Sequence, residues 1–215
     1  MKRKEIIKKY MVFIMGLFLN ALGICFIIKA DLGSSPISSL PYTISLKYPV
    51  SLGTLTLILN LFLILGQLAI QKRDFKTREW GQLPVSVLFG FFIDCCMSLV
   101  EGLAPASYVL QIVTLLTGCL ILGLGVSLEI IANVIMLSGE AFVNAYATKR
   151  QRSFGTTKIL FDTILMIMAC ITSLFLFFDI TGVREGTVIA ALSVGLFARY
   201  FNKKLSFLQN YLAGE

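Results

Sequence analysis

The chain contains no histidine, and charged residues fill only 14% of its 215 positions. Its five cysteines, Cys25, Cys95, Cys96, Cys119 and Cys170, never fall at CxxC or metal-ligand spacing. Without histidine or such spacing there is no cluster of the kind that holds zinc. No nucleophile has an evident base beside it, so neither an enzyme nor a cofactor is expected. All five cysteines sit in apolar runs, where a buried small hydrophobe is the expectation. The low charge content counts against a soluble domain, which carries nearer ~25% charged residues.

What the chain has instead is apolar sequence, 57% of it, in blocks of about 20 residues, the length that crosses hydrocarbon. Six spans are expected, at about 10–29, 52–71, 82–100, 108–130, 158–178 and 186–202. They leave no room for a separate soluble domain, so residues 1–215 are expected to form one integral membrane domain. The run from Tyr10 to Ile28 is too long for a signal-peptide core and is expected to remain as the first span. Basic residues gather at one set of connections: Lys2, Arg3, Lys4, Lys8 and Lys9; Lys72, Arg73, Lys76 and Arg78; Lys149, Arg150 and Arg152; Lys203 and Lys204. The other set has only Lys47 and Arg184, with Lys29 at a span end. The positive-inside bias then places both termini in the cytoplasm of a multi-pass plasma-membrane protein. The net charge of +7 follows from that topology and from attraction to anionic lipid. No basic face interleaved with aromatics points to nucleic acid.

Three of the five prolines fall in "KADLGSSPISSLPYTISLKYPVSLGT", Lys29 to Thr54. This segment recurs. Shifted by 102 residues, Gly16, Leu22, Gly23, Ile28, Ala30, Lys47, Ser51, Gly53, Thr54 and Leu63 fall without a gap on Gly118, Leu124, Gly125, Ile130, Ala132, Lys149, Ser153, Gly155, Thr156 and Leu165. Asp31 falls on Asn133, and Asn60 on Asp162. A shift of 105 then matches Gly81, Gly90 and Phe92 to Gly186, Gly195 and Phe197, and sets Asp94 against Arg199. Two units of three spans, about 10–100 and 108–202, must be inverted relative to each other, since three is odd. The fold expected is therefore an all-α membrane protein of six transmembrane helices in two inverted three-helix repeats. Each repeat carries a short amphipathic or re-entrant segment after its first helix. In the first segment Ile37, Leu40 and Ile44 follow helical spacing, with Ser34 or Ser35 as cap and Pro36 in the first turn. In the second, Ala141, Phe142, Ala145 and Tyr146 are apolar, while Glu140, Asn144 and Thr148 lie four apart. Such segments either lie flat at the interface or dip into the bilayer where protein or a water cavity satisfies their backbone; partial re-entry is favoured.

The stretches "ALGICFIIKADLGSSPISSLPYTISLKYPVSLGT", "ILGLGVSLEIIANVIMLSGEAF" and "VREGTVIAALSVG" resemble the YczE/YyaS/YitT family of bacterial integral membrane proteins, over roughly residues 10 to 202. The resemblance implies a membrane fold and location, with no settled substrate. A better-known branch of that family has a Trp-Asp or Arg-Asp pair after the turn proline; here Ile37 and Ser38 follow Pro36.

Charged side chains inside spans are costly and mark candidate sites. Glu129 and Asn133, four apart on one face, either line a cavity for a cation or proton or leave the carboxylate to pair with Arg150. Glu140 opens the second short element, where an acid also suits a helix start, and Asn144 shares its face. Asp162 and Asn60 are candidates for hydrogen bonds across helices. Asp31 belongs to the first turn. Arg184, beside Glu185, forms either a surface ion pair or a clamp for an anionic group. The candidate substrate-binding residues are thus Asp31, Glu129, Asn133, Glu140, Asn144, Asp162 and Arg184. The span glycines Gly16, Gly23, Gly90, Gly118, Gly123, Gly125 and Gly195 suit close helix packing. The expected function is a membrane transporter or exporter of a small solute. The alternative is a regulator or scaffold docking a cytoplasmic partner on Lys72–Arg78 and Lys149–Arg152. Expected partners are the lipid bilayer and a small molecule, with a homo-oligomer as an option.

Overall fold

A computed structural model describes residues 3–213; Lys2 of the basic N-terminal cluster lies outside them. Among the described residues there are helices and no strand. The long ones are α1 (Arg3–Lys29), α3 (Leu52–Gln71), α4 (Gln82–Leu99), α5 (Tyr108–Ala132), α7 (Phe154–Phe177) and α8 (Glu185–Lys204). The short ones are α2 (Pro36–Ser45), α6 (Ser138–Lys149) and α9 (Ser206–Ala213). The chain is thus an all-helical membrane protein. Five helical stretches are long and apolar enough to cross a bilayer: Glu5–Lys29, Leu52–Asp74, Thr77–Leu99, Tyr108–Ala132 and Phe154–Phe177. The expected sixth span is helical, as α8, but does not join these five because its ends carry Glu185, Arg199, Lys203 and Lys204. The outward faces hold large exposed apolar side chains, among them Phe62, Leu65, Phe91, Ile159, Phe175, Leu192 and Leu196. In water such a surface would be an aggregation liability; against lipid it is the favourable one.

The centre of the bundle is the antiparallel pair α1 and α5, which pack on each other more extensively than any other two helices. Their approach depends on glycine. A Cβ on Gly16 would lie 2.9 Å from the carbonyl oxygen of Gly125, and one on Gly23 would lie 2.5 Å from the backbone nitrogen of Leu122. Close backbone packing of this kind replaces the hydrophobic drive that lipid cannot supply. Leu17, Ala21, Ile24, Leu115, Cys119 and Leu122 fill the seam. Outside it, α4 lies on α1 and α3, and α8 lies mainly on α5.

The short helices α2 and α6 start in the interior. Ile37, in the first turn of α2, reaches the position a Cβ would take on Gly139, in the first turn of α6, beside Leu63 from the middle of α3. Ile37 also packs against Val143, Phe161 and Leu165. Hydroxyls tie both starts to neighbouring long helices. Ser34 N donates to Thr187 Oγ1 (3.2 Å), and Ser138 and Ser86 hydroxyls meet at 3.0 Å. Ser35 holds the N-cap position of α2 with Pro36 behind it, as expected, but its hydroxyl meets that of Ser38 (2.6 Å) and does not cap a backbone amide. The chain reverses into both short helices through left-handed residues, Asp31 (φ 57°) and Asn133 (φ 48°), a conformation that Asp and Asn tolerate better than most residues. An arginine holds each reversal: Arg184 Nη1 donates to the Asp31 carbonyl (3.0 Å), and Arg78 Nη2 to the Asn133 carbonyl (2.7 Å) and to that of Val134.

Two expectations need correction. Cys95 is exposed and Cys170 half-buried, whereas Cys25, Cys96 and Cys119 are buried; adjacent helical residues diverge by about 100°, so Cys95 and Cys96 cannot both face inward. Gly195, expected to pack, has no described atom within 4 Å of its Cβ position. The tail beyond the last span is helical, and Leu212 of α9 is buried.

Candidate functional site

A cavity of about 350 Å³ opens at the end of the bundle where α3 gives way to α4. Four of the seven candidate residues line it: Glu129 and Asn133 from the last turns of α5, and Glu140 and Asn144 from α6. The spacing explains the grouping. Residues four apart stack on one helix face, and the left-handed turn at Asn133 leads into α6 so that Glu140 and Asn144 line the same cavity as Glu129 and Asn133. Glu129 is buried, 8% exposed, and its Oε1 accepts from Asn20 Nδ2 of α1 (3.0 Å). The alternative pairing with Arg150 is not made; that guanidinium sits over the Tyr146 ring, 6.0 Å from its centroid.

A second cavity, about 260 Å³, lies deeper, between the starts of α2 and α6 and the faces of α3, α5, α7 and α8. Glu140 lines both cavities and joins them. Asn60 and Asp162 line the deeper one. The cross-helix bond expected of Asp162 is instead a local ion pair, with Lys158 Nζ at 2.6 Å four residues earlier on α7. Its partner is supplied by its own helix because i,i+4 neighbours are in reach.

Asp31 and Arg184 do not join this group. Arg184 spends one donor on the Asp31 carbonyl and stands 3.9 Å from Glu185 in an exposed pair. Both belong to the opposite end of the bundle, and their tie is structural: it holds the turn into α2.

Four lining or supporting residues were not among those expected: Asn20, Gln67, Gln71 and Gln82. Gln82 Nε2 donates to Gln67 Oε1 (3.0 Å), Gln67 Nε2 to Gln71 Oε1 (3.1 Å), and Gln71 Nε2 to Glu79 Oε1 (3.4 Å). The available signal was Gln67 and Gln71, four apart in the otherwise apolar "LILGQLAIQ", and Asn20 alone in "GLFLNALG". Among the described residues no three His, Cys, Asp or Glu side chains gather as a metal site.

Residues 7–203 match a family of unknown function, DUF6198. The chain belongs to the DUF6198 family. No curated protein and no solved structure matches it.

Proposed function

We propose that this DUF6198 protein is a solute carrier, not an enzyme, and that its solute passes through the cavity between Glu129 and Glu140. One observation carries this reading. A chain with so few charges places three glutamates, two asparagines, three glutamines, a lysine and an arginine around one cavity, and polar groups at membrane depth are costly unless used. In this reading α8 is the sixth span, and the chain is two inverted repeats, 10–100 and 108–202. The repeat offset that maps Asp31 to Asn133 and Gly16 to Gly118 also maps one set of contacts onto another. Gly125 against Asn20 answers Gly23 against Leu122; Arg78 on Asn133 resembles Arg184 on Asp31, although the shift of 105 sets Arg184 against Glu79, one residue from Arg78. The starts of α2 and α6 are then two re-entrant elements meeting inside the bilayer, a common setting for transporter sites. Both termini lie in the cytoplasm of a bacterial plasma membrane, and the cavity with Glu129 faces that side.

The test is a thermal-shift screen of small solutes on the purified protein beside Glu129→Gln, followed by flux of any hit into liposomes. A binding solute raises the melting temperature by mass action; the expected result is a hit that Glu129→Gln abolishes and that liposomes accumulate. A well-folded protein that binds no solute contradicts the carrier reading and favours a regulator docking a partner on its basic loops.

A further inference from the structure

We infer that the cavity takes an organic cation bearing N–H donors, an ammonium or guanidinium compound; this rests on the solute-carrying reading above. The argument begins with hydrogen-bond direction. A carboxylate only accepts, so Glu79 at one end of the amide chain compels Gln71 to present its nitrogen. Gln71 then has its oxygen left for Gln67, and Gln67 its oxygen for Gln82. The chain must therefore end in a free acceptor, and it does. Gln82 is 2% exposed, lines the cavity, and its Oε1 has no hydrogen-bond partner among the described residues. A buried acceptor left unmade is expensive, and only a donor can satisfy it.

Charge points the same way. Glu79, Glu129 and Glu140 put three carboxylates on the cavity wall. Asn20 donates one bond to Glu129, leaving its second oxygen open. Two cations share that wall: Arg78, whose donors are taken by the carbonyls of Asn133 and Val134 while its charge remains, and Lys76; Lys158 is paired with Asp162. Lys76 stays exposed at the rim. Lys76, Arg78 and the positive end of α6, worth roughly half a charge, together fall short of the three carboxylates. With no gathered metal-ligand set, the cation that fits is a donor-rich organic one. The cavity, about 350 Å³, is at the small end of ligand sites.

Isothermal titration calorimetry on the full chain tests this with three probes. Agmatine carries a guanidinium and an ammonium, tetramethylammonium carries charge without N–H, and acetate is an anion. Agmatine is expected to bind. Gln82→Met, which leaves the carboxylates in place, should weaken it about tenfold, the worth of one hydrogen bond to a charged group. Tetramethylammonium should bind more weakly and be indifferent to Gln82→Met. Glu140→Gln should weaken both cations, and acetate should not bind. Gel filtration checks that each variant elutes as a single folded species. Binding of acetate in place of agmatine, or agmatine binding indifferent to both substitutions, overturns the cation assignment and leaves the carrier reading intact. If none of the probes binds and a broad solute screen is also empty, both fall.

Discussion

The two halves of this chain use the same local sequence in two arrangements. Ser51 and Ser153 each cap a long helix, accepting from the backbone nitrogen of Thr54 (3.1 Å) and Thr156 (3.2 Å), in the shared S-x-G-T. Beyond the cap they diverge. In the first half Asp94 of α4 accepts from Ser51 Oγ (2.7 Å) and from Gly53 N (2.8 Å), and α3 lies on α4. A Cβ on Gly53 would fall 2.0 Å from the Gly90 carbonyl oxygen. In the second half the residue matching Asp94 is Arg199, which is exposed. Gly155 and Gly195 each have no described atom within 4 Å of a Cβ, and α7 and α8 make no comparable contact. A carboxylate at a helix start accepts amide bonds and suits the positive end of the dipole, whereas a guanidinium does neither. One substitution of charge thus accounts for a closed pair on one side and a parted pair on the other. In the carrier we propose, the two halves exchange these arrangements, and the glycines kept at 155 and 195 are those the closed form needs.

The largest expected break in this comparison is steric. Gly53→Val should destabilise the protein by about 3 kcal/mol, because backbone on both sides must part. Gly155→Val should stay within about 0.5 kcal/mol, as an unpacked surface change does. Melting temperatures of the two purified variants decide it; equal losses would mean the halves are packed alike. A smaller effect is electrostatic. Asp94→Ala removes two bonds to a half-buried carboxylate and should cost about 2 kcal/mol, while Arg199→Ala should be near neutral. A neutral Asp94→Ala would remove the clamp from the explanation.

Much of this was legible in the sequence. Hydrophobic blocks placed the long helices to within a few residues, and i,i+4 spacing put Glu129 with Asn133 and Glu140 with Asn144. Pairings across the chain were not legible. Nothing local in "NLFLILGQLAIQ" shows that Gln67 meets Gln82 fifteen residues on, since the meeting depends on how α3 and α4 cross. Asp94 likewise was matched only to Arg199, because its partners Ser51 and Gly53 come from another helix. Asp31 and Arg184 were expected at the site and instead hold a turn at the other end of the bundle, since α1, which Asp31 follows, runs antiparallel to α5, which Asn133 follows.

The exchange of the two arrangements is best tested by cross-linking Gly155→Cys to Gly195→Cys in membranes, with the five native cysteines replaced by alanine. A disulfide needs Cα atoms within about 7 Å; Gly53 and Gly90 are in direct contact, whereas no described atom lies within 4 Å of a Cβ at Gly155 or Gly195. Cross-link formation under mild oxidation is expected, since the closed form must be visited. Its absence from folded protein, on a timescale where solute is carried, would contradict the exchange.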